Sequence, residues 1–411
     1  MKKLSSSTAI LLAMILGVLT GIIFQDKASI FAPLGDIFLK LITMLIVPLV
    51  FFNIILGAVS LGKTKSAGKV GFLTLAYYLF TSAISVVIGI GAGVIFKPGF
   101  GITVPSSLLV NENTYSAANT TMDFWQTIMS IIPSNPFKSL IEGNILQIIF
   151  FSLFLGICLS KLEEKKQKPV IDILETINDV LIKMIEKILI LAPIGVFGLM
   201  ANSIALFGIN ILVLVLKLFG VFTLSLGLIH FGMLPGFVKL FTGISPLKFI
   251  KTLAPAQILA FSTASSMATL PTNTQCCEKL GVENSTASFI LPLGATINMN
   301  GNAMLYGLVT MFFAQMFDVH IGLHQYIGII LTSVLGAVGT AGVPGPSLLV
   351  VAVLASAGVP VVALPLVFGI DRIMDMMRTS TNILGDASCA VIMDRILKKE
   401  ETQEKTEPVL N

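Results

Sequence analysis

Between Thr8 and Leu234 the chain passes through six apolar segments of spanning length: Thr8–Phe24, Ile37–Leu61, Val70–Phe96, Ile145–Leu162, Ile171–Leu206 and Ile209–Leu234. In hydrocarbon every backbone N–H and C=O must be satisfied within the protein, which leaves only helices or a closed barrel. A spanning helix needs about 20 apolar residues and a barrel strand about 9–11, so these lengths select helices. Composition agrees, with 55% hydrophobic and 12% charged residues in a chain of 411. Soluble domains carry about twice that charged fraction, and the mean hydropathy is +0.93. The expectation is an all-α polytopic membrane protein. The net charge of +4 is small and resides in the loops, so no nucleic-acid partner is implied. Cys158, Cys276, Cys277 and Cys389 form no C-x-x-C pair and there are three histidines, so no zinc site or cofactor is expected.

The loops fix an orientation. Lys2 and Lys3 precede the first segment, Lys63, Lys65 and Lys69 follow the second, Lys161, Lys165, Lys166 and Lys168 the fourth, and Lys239, Lys248 and Lys251 the sixth. Lys398 and Lys399 follow the last apolar run, whereas the long connection from Lys97 to Phe137 is Ser/Thr/Asn-rich and nearly free of basic residues. The positive-inside rule therefore puts both termini in the cytoplasm. No small-residue cleavage site stands out after Thr8–Phe24, which reads as a spanning helix rather than a signal peptide.

After Lys251 the pattern breaks. Phe249–Leu270 is interrupted by the serine-rich stretch Phe261–Pro271, and its flanks Lys251 and Lys279 both read as cytoplasmic, so it enters the membrane and returns. Ala287–Phe317 is broken by N-M-N-G-N at Asn298–Asn302. Ile327–Val359 is interrupted by Gly339–Ser347 between loops that read as external, a second hairpin of opposite entry. Two hairpins, each followed by a span with a polar break, suggest an inverted repeat. Irregular backbone at membrane depth is tolerated only where it is buried in protein or lines a cavity, so these breaks must meet at one site.

The last span, Pro360–Leu397, carries D-R-I-M-D-M-M-R-T-S-T-N-I-L-G-D from Asp371 to Asp386. At about 100° per residue, Asp371, Asp375, Arg378, Asn382 and Asp386 fall in roughly one quadrant of a helix. A charge at mid-membrane costs at least about 2.5–3.5 kcal/mol, so this face looks into protein or a polar cavity. A guanidinium fork suits a carboxylate and a buried aspartate suits an ammonium. A salt-bridge staple between helices would need one pair rather than five polar groups.

These stretches together resemble the dicarboxylate/amino acid:cation symporter family, which includes the glutamate transporters; the resemblance covers nearly the whole chain and is strongest over Phe261–Asp386. It implies about eight transmembrane helices plus two re-entrant hairpins, a homotrimer in the plasma membrane, and an elevator mechanism. The implied organisation is scaffold helices 1–2 over residues 1–69 and transport helix 3 over 70–97. Scaffold helices 4–5 with the external loop follow over 98–206, the rest of the transport domain over 207–397, and a cytoplasmic polar tail over 398–411.

The resemblance also implies the site residues. Arg378 holds a side-chain carboxylate and Asp375 the amino group. Asn382, Thr379 and the first hairpin tip, Ser265 and Ser266, lie near the α-carboxylate, while Gly342, Val343 and Ser347 close over the substrate. Asp386 with carbonyls of Gly294, Asn298 and Asn382 forms one sodium site, and carbonyls of Thr296, Ala337, Val338 and Thr340 a second. Tyr78, Thr81 and Ser82 with Asn298 form a third. Oxygen-only ligands suit a hard cation. The family's usual N-M-D-G-T is N-M-N-G-N here, so Asn300 removes the carboxylate of the third site and Asn302 replaces a threonine near the substrate side chain.

The expected function is sodium- or proton-coupled uptake of an acidic amino acid, glutamate or aspartate. Neutral amino acids, cystine and C4-dicarboxylates are the alternatives within the same fold. Asp375 argues against a plain dicarboxylate and Arg378 against a small neutral substrate. An intramembrane aspartyl protease would carry glycine where Ile383 stands, and an ion channel lined by the polar breaks is a further class, one that can coexist with transport.

Overall fold

The computed structural model describes residues 6–66, 69–101, 129, 132–208, 210–338, 349–360 and 364–404. Within them the chain is helical, with no strand. α1 (Ser6–Phe24) runs through a short 3-10 segment into α2 (Ala32–Thr43), followed by α3 (Ile46–Ser66) and α4 (Lys69–Phe96). The expected span Ile37–Leu61 is therefore two helices. Pro48 has no N–H to return to the carbonyl of Met44, four residues earlier, which is where the helix is interrupted.

α5 (Pro136–Glu142) and α6 (Ile145–Leu159) precede α7 (Glu164–Ile190) and α8 (Ala192–Phe207). The expected span Ile171–Leu206 bends by 58° between these last two. Pro193 lies just past the break, where its ring excludes a regular helix through Leu189. α7 is also amphipathic, with Asp172, Glu175, Asp179, Lys183, Glu186 and Lys187 on it, so apolar length alone overstated that segment.

α9 (Asn210–Gly227) continues through a π-helical segment, Leu228–Met233, into α10 (Leu234–Thr242). The first hairpin is α11 (Pro246–Thr263) packed against α12 (Ser266–Lys279). Its turn puts Ala264 at φ +52°, and Ser265 caps α12 by accepting from the Ala268 N–H at 3.2 Å. α13 (Asn284–Ile297) and α14 (Asn300–Met316) are separated by Asn298 and Met299, both non-helical, at the predicted N-M-N-G-N break. α15 (Leu323–Val338) packs against α16 (Val350–Ser356), and α17 (Leu364–Glu404) ends the described chain.

Among the described residues three helical stretches are long and apolar enough to cross a membrane, Thr8–Phe38, Val70–Phe96 and Ile211–Thr242, with a fourth if the bent α7–α8 pair counts. The outward faces are apolar: Leu216, Leu224, Leu228 and Phe231 are all more than half exposed, as hydrocarbon contact requires. One large core joins α4 and α9 to the hairpins and to α13, α14 and α17. A second joins α1, α2, α7 and α8 with the start of α3. α4 and α14 pack closely because both carry glycine at the crossing. A Cβ on Gly89 would fall on the Met304 carbonyl oxygen, and one on Gly307 would stand 2.8 Å from the Val86 oxygen.

Candidate functional site

The charged face of α17 is buried. Arg378 is fully inaccessible, and Asp371, Asp375, Asn382 and Asp386 are all buried. Helical spacing lets the guanidinium reach one turn and two turns back along its own helix. Nη1 donates to Asp371 Oδ1 at 2.9 Å and Nη2 to Asp375 Oδ1 at 3.2 Å. Arg372 Nη1 lies 3.6 Å from the other oxygen of Asp375. Asp371 was visible in the polar face but carried no assigned role; it is the closer partner of Arg378. Arg378 Nε and Asp375 Oδ2 make no hydrogen bond, so this cluster keeps both donor and acceptor capacity.

The break between α13 and α14 docks on the same helix one turn further along. The Gly301 N–H donates to Asn382 Oδ1 at 2.8 Å, and Asn382 Nδ2 donates to Asn302 Oδ1 at 3.3 Å and to Met299 Sδ at 3.2 Å. Asn298 Nδ2 donates to Asp386 Oδ1 at 2.8 Å and to the Asn382 carbonyl at 3.2 Å. Glycines make these approaches possible. A Cβ on Gly385 would stand 2.5 Å from Asn298 Nδ2, and one on Gly294 would stand 2.6 Å from both Asp386 Oδ1 and the Tyr78 hydroxyl. Gly294, Asn298, Asn382 and Asp386 thus converge, with Tyr78 beside them.

The chemistry of this cluster fits a hard cation. Asn298 Oδ1 is buried and accepts no hydrogen bond. An orphaned buried acceptor costs about 1–3 kcal/mol, a cost that a cation ligated there would remove. The third set differs. Ser82 Oγ donates to Asn300 Oδ1 at 3.4 Å, Thr81 Oγ1 to the Tyr78 carbonyl and the Tyr78 hydroxyl to the Ile290 carbonyl. Asn300 Nδ2 is buried without an acceptor, so it is an N–H donor that stands unpaired here.

Thr379 is buried, its hydroxyl turned to the Asp375 carbonyl at 2.8 Å. Ser265 and Ser266 are buried at the first hairpin tip. The hairpin is tied to α17 by Asn273, whose Nδ2 donates to the Ile383 carbonyl at 3.1 Å. The Thr296 side chain is exposed and bonds back to the Leu293 carbonyl, so of that residue only the carbonyl is available to the second set. Ala337 is buried in α15, which touches α13. Val338 ends α15, and Thr340, Gly342, Val343 and Ser347 lie outside the described residues. Asn273, Tyr77, whose hydroxyl is 2.7 Å from Ser388 Oγ, and Met299 were not singled out from sequence; each is a neutral residue whose partner is more than 80 positions away. Beyond the apolar run, Lys398 Nζ lies 2.8 Å from both Asp394 Oδ2 and the Gly281 carbonyl, and the Asp394 contact raises its pKa.

Broken helices meeting at a buried cluster of carboxylates, guanidinium and amides, inside an apolar outer shell, define a membrane transport protein. The family model for sodium:dicarboxylate symporters matches residues 7–396. The chain is 35% identical to the proton/sodium-glutamate symport protein of Bacillus caldotenax, over 96% of this chain and 95% of that protein. It is 32% identical to the proton/glutamate-aspartate symporter of Escherichia coli (strain K12), over 95% and 92%. It is also 32% identical to the C4-dicarboxylate transport protein of Rhodospirillum rubrum, over 93% and 86%. The chain belongs to the sodium:dicarboxylate symporter family.

Proposed function

We propose that the chain is a secondary active symporter that couples inward flow of sodium or protons to uptake of an acidic amino acid, glutamate or aspartate. The observation that carries this reading is the buried Arg378 fork held by Asp371 and Asp375. A substrate carboxylate can replace Asp375 on that fork in like geometry. Asp375, once displaced, keeps only Arg372, 3.6 Å from its Oδ2, and an α-ammonium in the same substrate takes the place of the lost guanidinium contact. A zwitterion with a second carboxylate supplies both groups. In this reading Asn382, Thr379, Ser265 and Ser266 line the substrate space, and residues 342, 343 and 347 close it.

Coupling follows from the adjacent cation cluster. Asn382 offers its carbonyl to the Asp386 set and its side chain to the break that frames the substrate, so a cation and a substrate order the same residue. In this reading the chain divides into a scaffold (1–69 and 98–206) and a moving transport domain (70–97 and 207–397) working as an elevator, in a homotrimer of the plasma membrane with both termini cytoplasmic. The C4-dicarboxylate reading is favoured by the Rhodospirillum rubrum relative's name. Uptake of a labelled amino-acid panel into proteoliposomes, with and without a sodium gradient, tests the proposal. Succinate or malate outcompeting aspartate would select the dicarboxylate reading instead.

A further inference from the structure

Asp375 stands between two guanidiniums. Arg372 lies three residues before it on α17 and Arg378 three residues after it. At about 100° per residue they stand roughly 60° to either side of it around the helix. Asp371 falls on the Arg378 side, so Arg378 reaches both carboxylates.

The two arginines are not equivalent. Arg378 Nη2 donates to Asp375 Oδ1 at 3.2 Å, and the Arg378 side chain is wholly inaccessible. A Cβ on Gly301 of α14 would stand 2.9 Å from the Arg378 Cβ, so the base of that side chain is clamped. Arg372 faces the other oxygen. Its Nη1 is 3.6 Å from Asp375 Oδ2, just beyond hydrogen-bond length, and 21% of its side chain is exposed. Oδ2 itself is buried and accepts no hydrogen bond. A small rotation of Arg372 closes that contact, whereas Arg378 has no room to follow a carboxylate that moves away.

This difference matters once a substrate carboxylate occupies Arg378 and frees Asp375 Oδ1. An amino-acid substrate brings an ammonium for Asp375. An acid of the same length without an amino group, such as succinate, brings none, and the carboxylate of Asp375 then has Arg372 as its nearby cation. A buried charge is tolerated when it is paired and is costly when its partner is removed. The charge count points the same way. Asp371, Asp375, Arg372 and Arg378 cancel, aspartate adds one net negative charge, and succinate adds two. A cation on this side of Asp375 therefore favours the acid without the amino group, and it opposes an arriving ammonium by like charge.

We infer that Arg372 is a specificity-determining residue, which acts through Asp375 and sets how well the carrier binds an acidic substrate that lacks an amino group. Arg378 is the fixed donor common to both kinds of substrate, and Arg372 is the adjustable partner that Asp375 takes when no ammonium is offered.

This inference rests on the symport reading of an acidic amino acid, and the experiment separates the two. The full chain is purified in detergent with sodium present, and equilibrium dialysis gives dissociation constants for labelled L-aspartate and labelled succinate. Arg372→Met should raise the ratio of the succinate constant to the aspartate constant at least about tenfold, equivalent to 1.4 kcal/mol. Arg372→Lys keeps the charge and should stay close to the wild-type ratio. In an Asp375→Asn background there is no carboxylate to compensate, so most of the effect of Arg372→Met on succinate binding should vanish. An unchanged or lowered ratio in Arg372→Met, or an undiminished effect in the Asp375→Asn background, would overturn the inference while leaving symport intact. Loss of folded protein in Arg372→Met, read from helix content and melting in the same detergent, would assign Arg372 a structural role and overturn it as well. Wild type that fails to bind L-aspartate would overturn the amino-acid reading, and the inference with it.

Discussion

Arg378→Ala removes the one cation held between two buried carboxylates. At an effective dielectric of about 20, opposite charges 4 Å apart attract by roughly 4 kcal/mol, and the two contacts here are shorter, at 2.9 and 3.2 Å. Removing one partner of a buried pair costs about 3–5 kcal/mol, because the other charge is left uncompensated. Asp375 keeps Arg372 at 3.6 Å, so Asp371, the closer partner, is the residue to neutralise in a second step. Asp371→Asn combined with Arg378→Ala removes the carboxylate charge that Arg378 neutralises and leaves an amide, whose lost hydrogen bond costs about 1–3 kcal/mol. The expected order of stability is wild type, then the double variant, then Arg378→Ala, with roughly 2 kcal/mol between the last two. Cys276, Cys277 and Cys389 are buried and free, so a thiol-reactive fluorophore reports thermal unfolding in detergent. Both variants should lack glutamate and aspartate uptake. Undiminished uptake by Arg378→Ala would refute the substrate assignment. A double variant less stable than the single would refute the charge-compensation argument.

Asp375→Asn should abolish amino-acid uptake, and in wild type, dicarboxylates lacking an amino group should compete poorly with aspartate; effective competition by succinate would contradict the ammonium role. Asn300→Asp restores a carboxylate beside Ser82, and a contact carboxylate is worth a few kcal/mol even at a dielectric of about 20. Apparent sodium affinity should rise or the sodium dependence steepen, as read from reversal potentials. A value of three sodium ions per substrate in the unmodified chain, unaltered by Asn300→Asp, would show the carboxylate to be dispensable. Gly294→Ala places a methyl 2.6 Å from Asp386 Oδ1 and should weaken apparent sodium affinity at least tenfold; uptake at graded sodium concentrations measures it, and an unchanged curve would disconnect Gly294 from the cation cluster.

The polar face of α17 was legible because helical periodicity is a property of one segment, and so were the N-M-N-G-N break and the serine-rich turn of the first hairpin. Which carboxylate Arg378 prefers was not: spacings of three and seven both bring an aspartate to the same face, and side-chain rotamers decide between them. The bends after Met44 and Leu191 had proline signals in Pro48 and Pro193 that hydropathy windows average away. The π segment around His230 has no local signature, and the ring it carries bonds to Gln257 and Thr381, 27 and 151 residues distant. The outward turn of the Thr296 side chain is compatible with the expectation from the resemblance, which named only its carbonyl as a ligand.

The burial of Asp371, Asp375, Arg378 and Asp386 on α17 also bears on how the chain enters a membrane. On insertion scales each charge at the bilayer centre costs about 2.5–3.5 kcal/mol, so Asp371, Asp375, Arg378 and Asp386 together oppose partitioning of the isolated helix by roughly 10 kcal/mol. Asn298, the partner of Asp386 in the break between α13 and α14, is translated earlier. The helix that carries the substrate face therefore cannot leave the translocon for lipid as an independent unit. It enters a space its predecessors have already lined, so assembly of the site and membrane integration of its central helix are the same event.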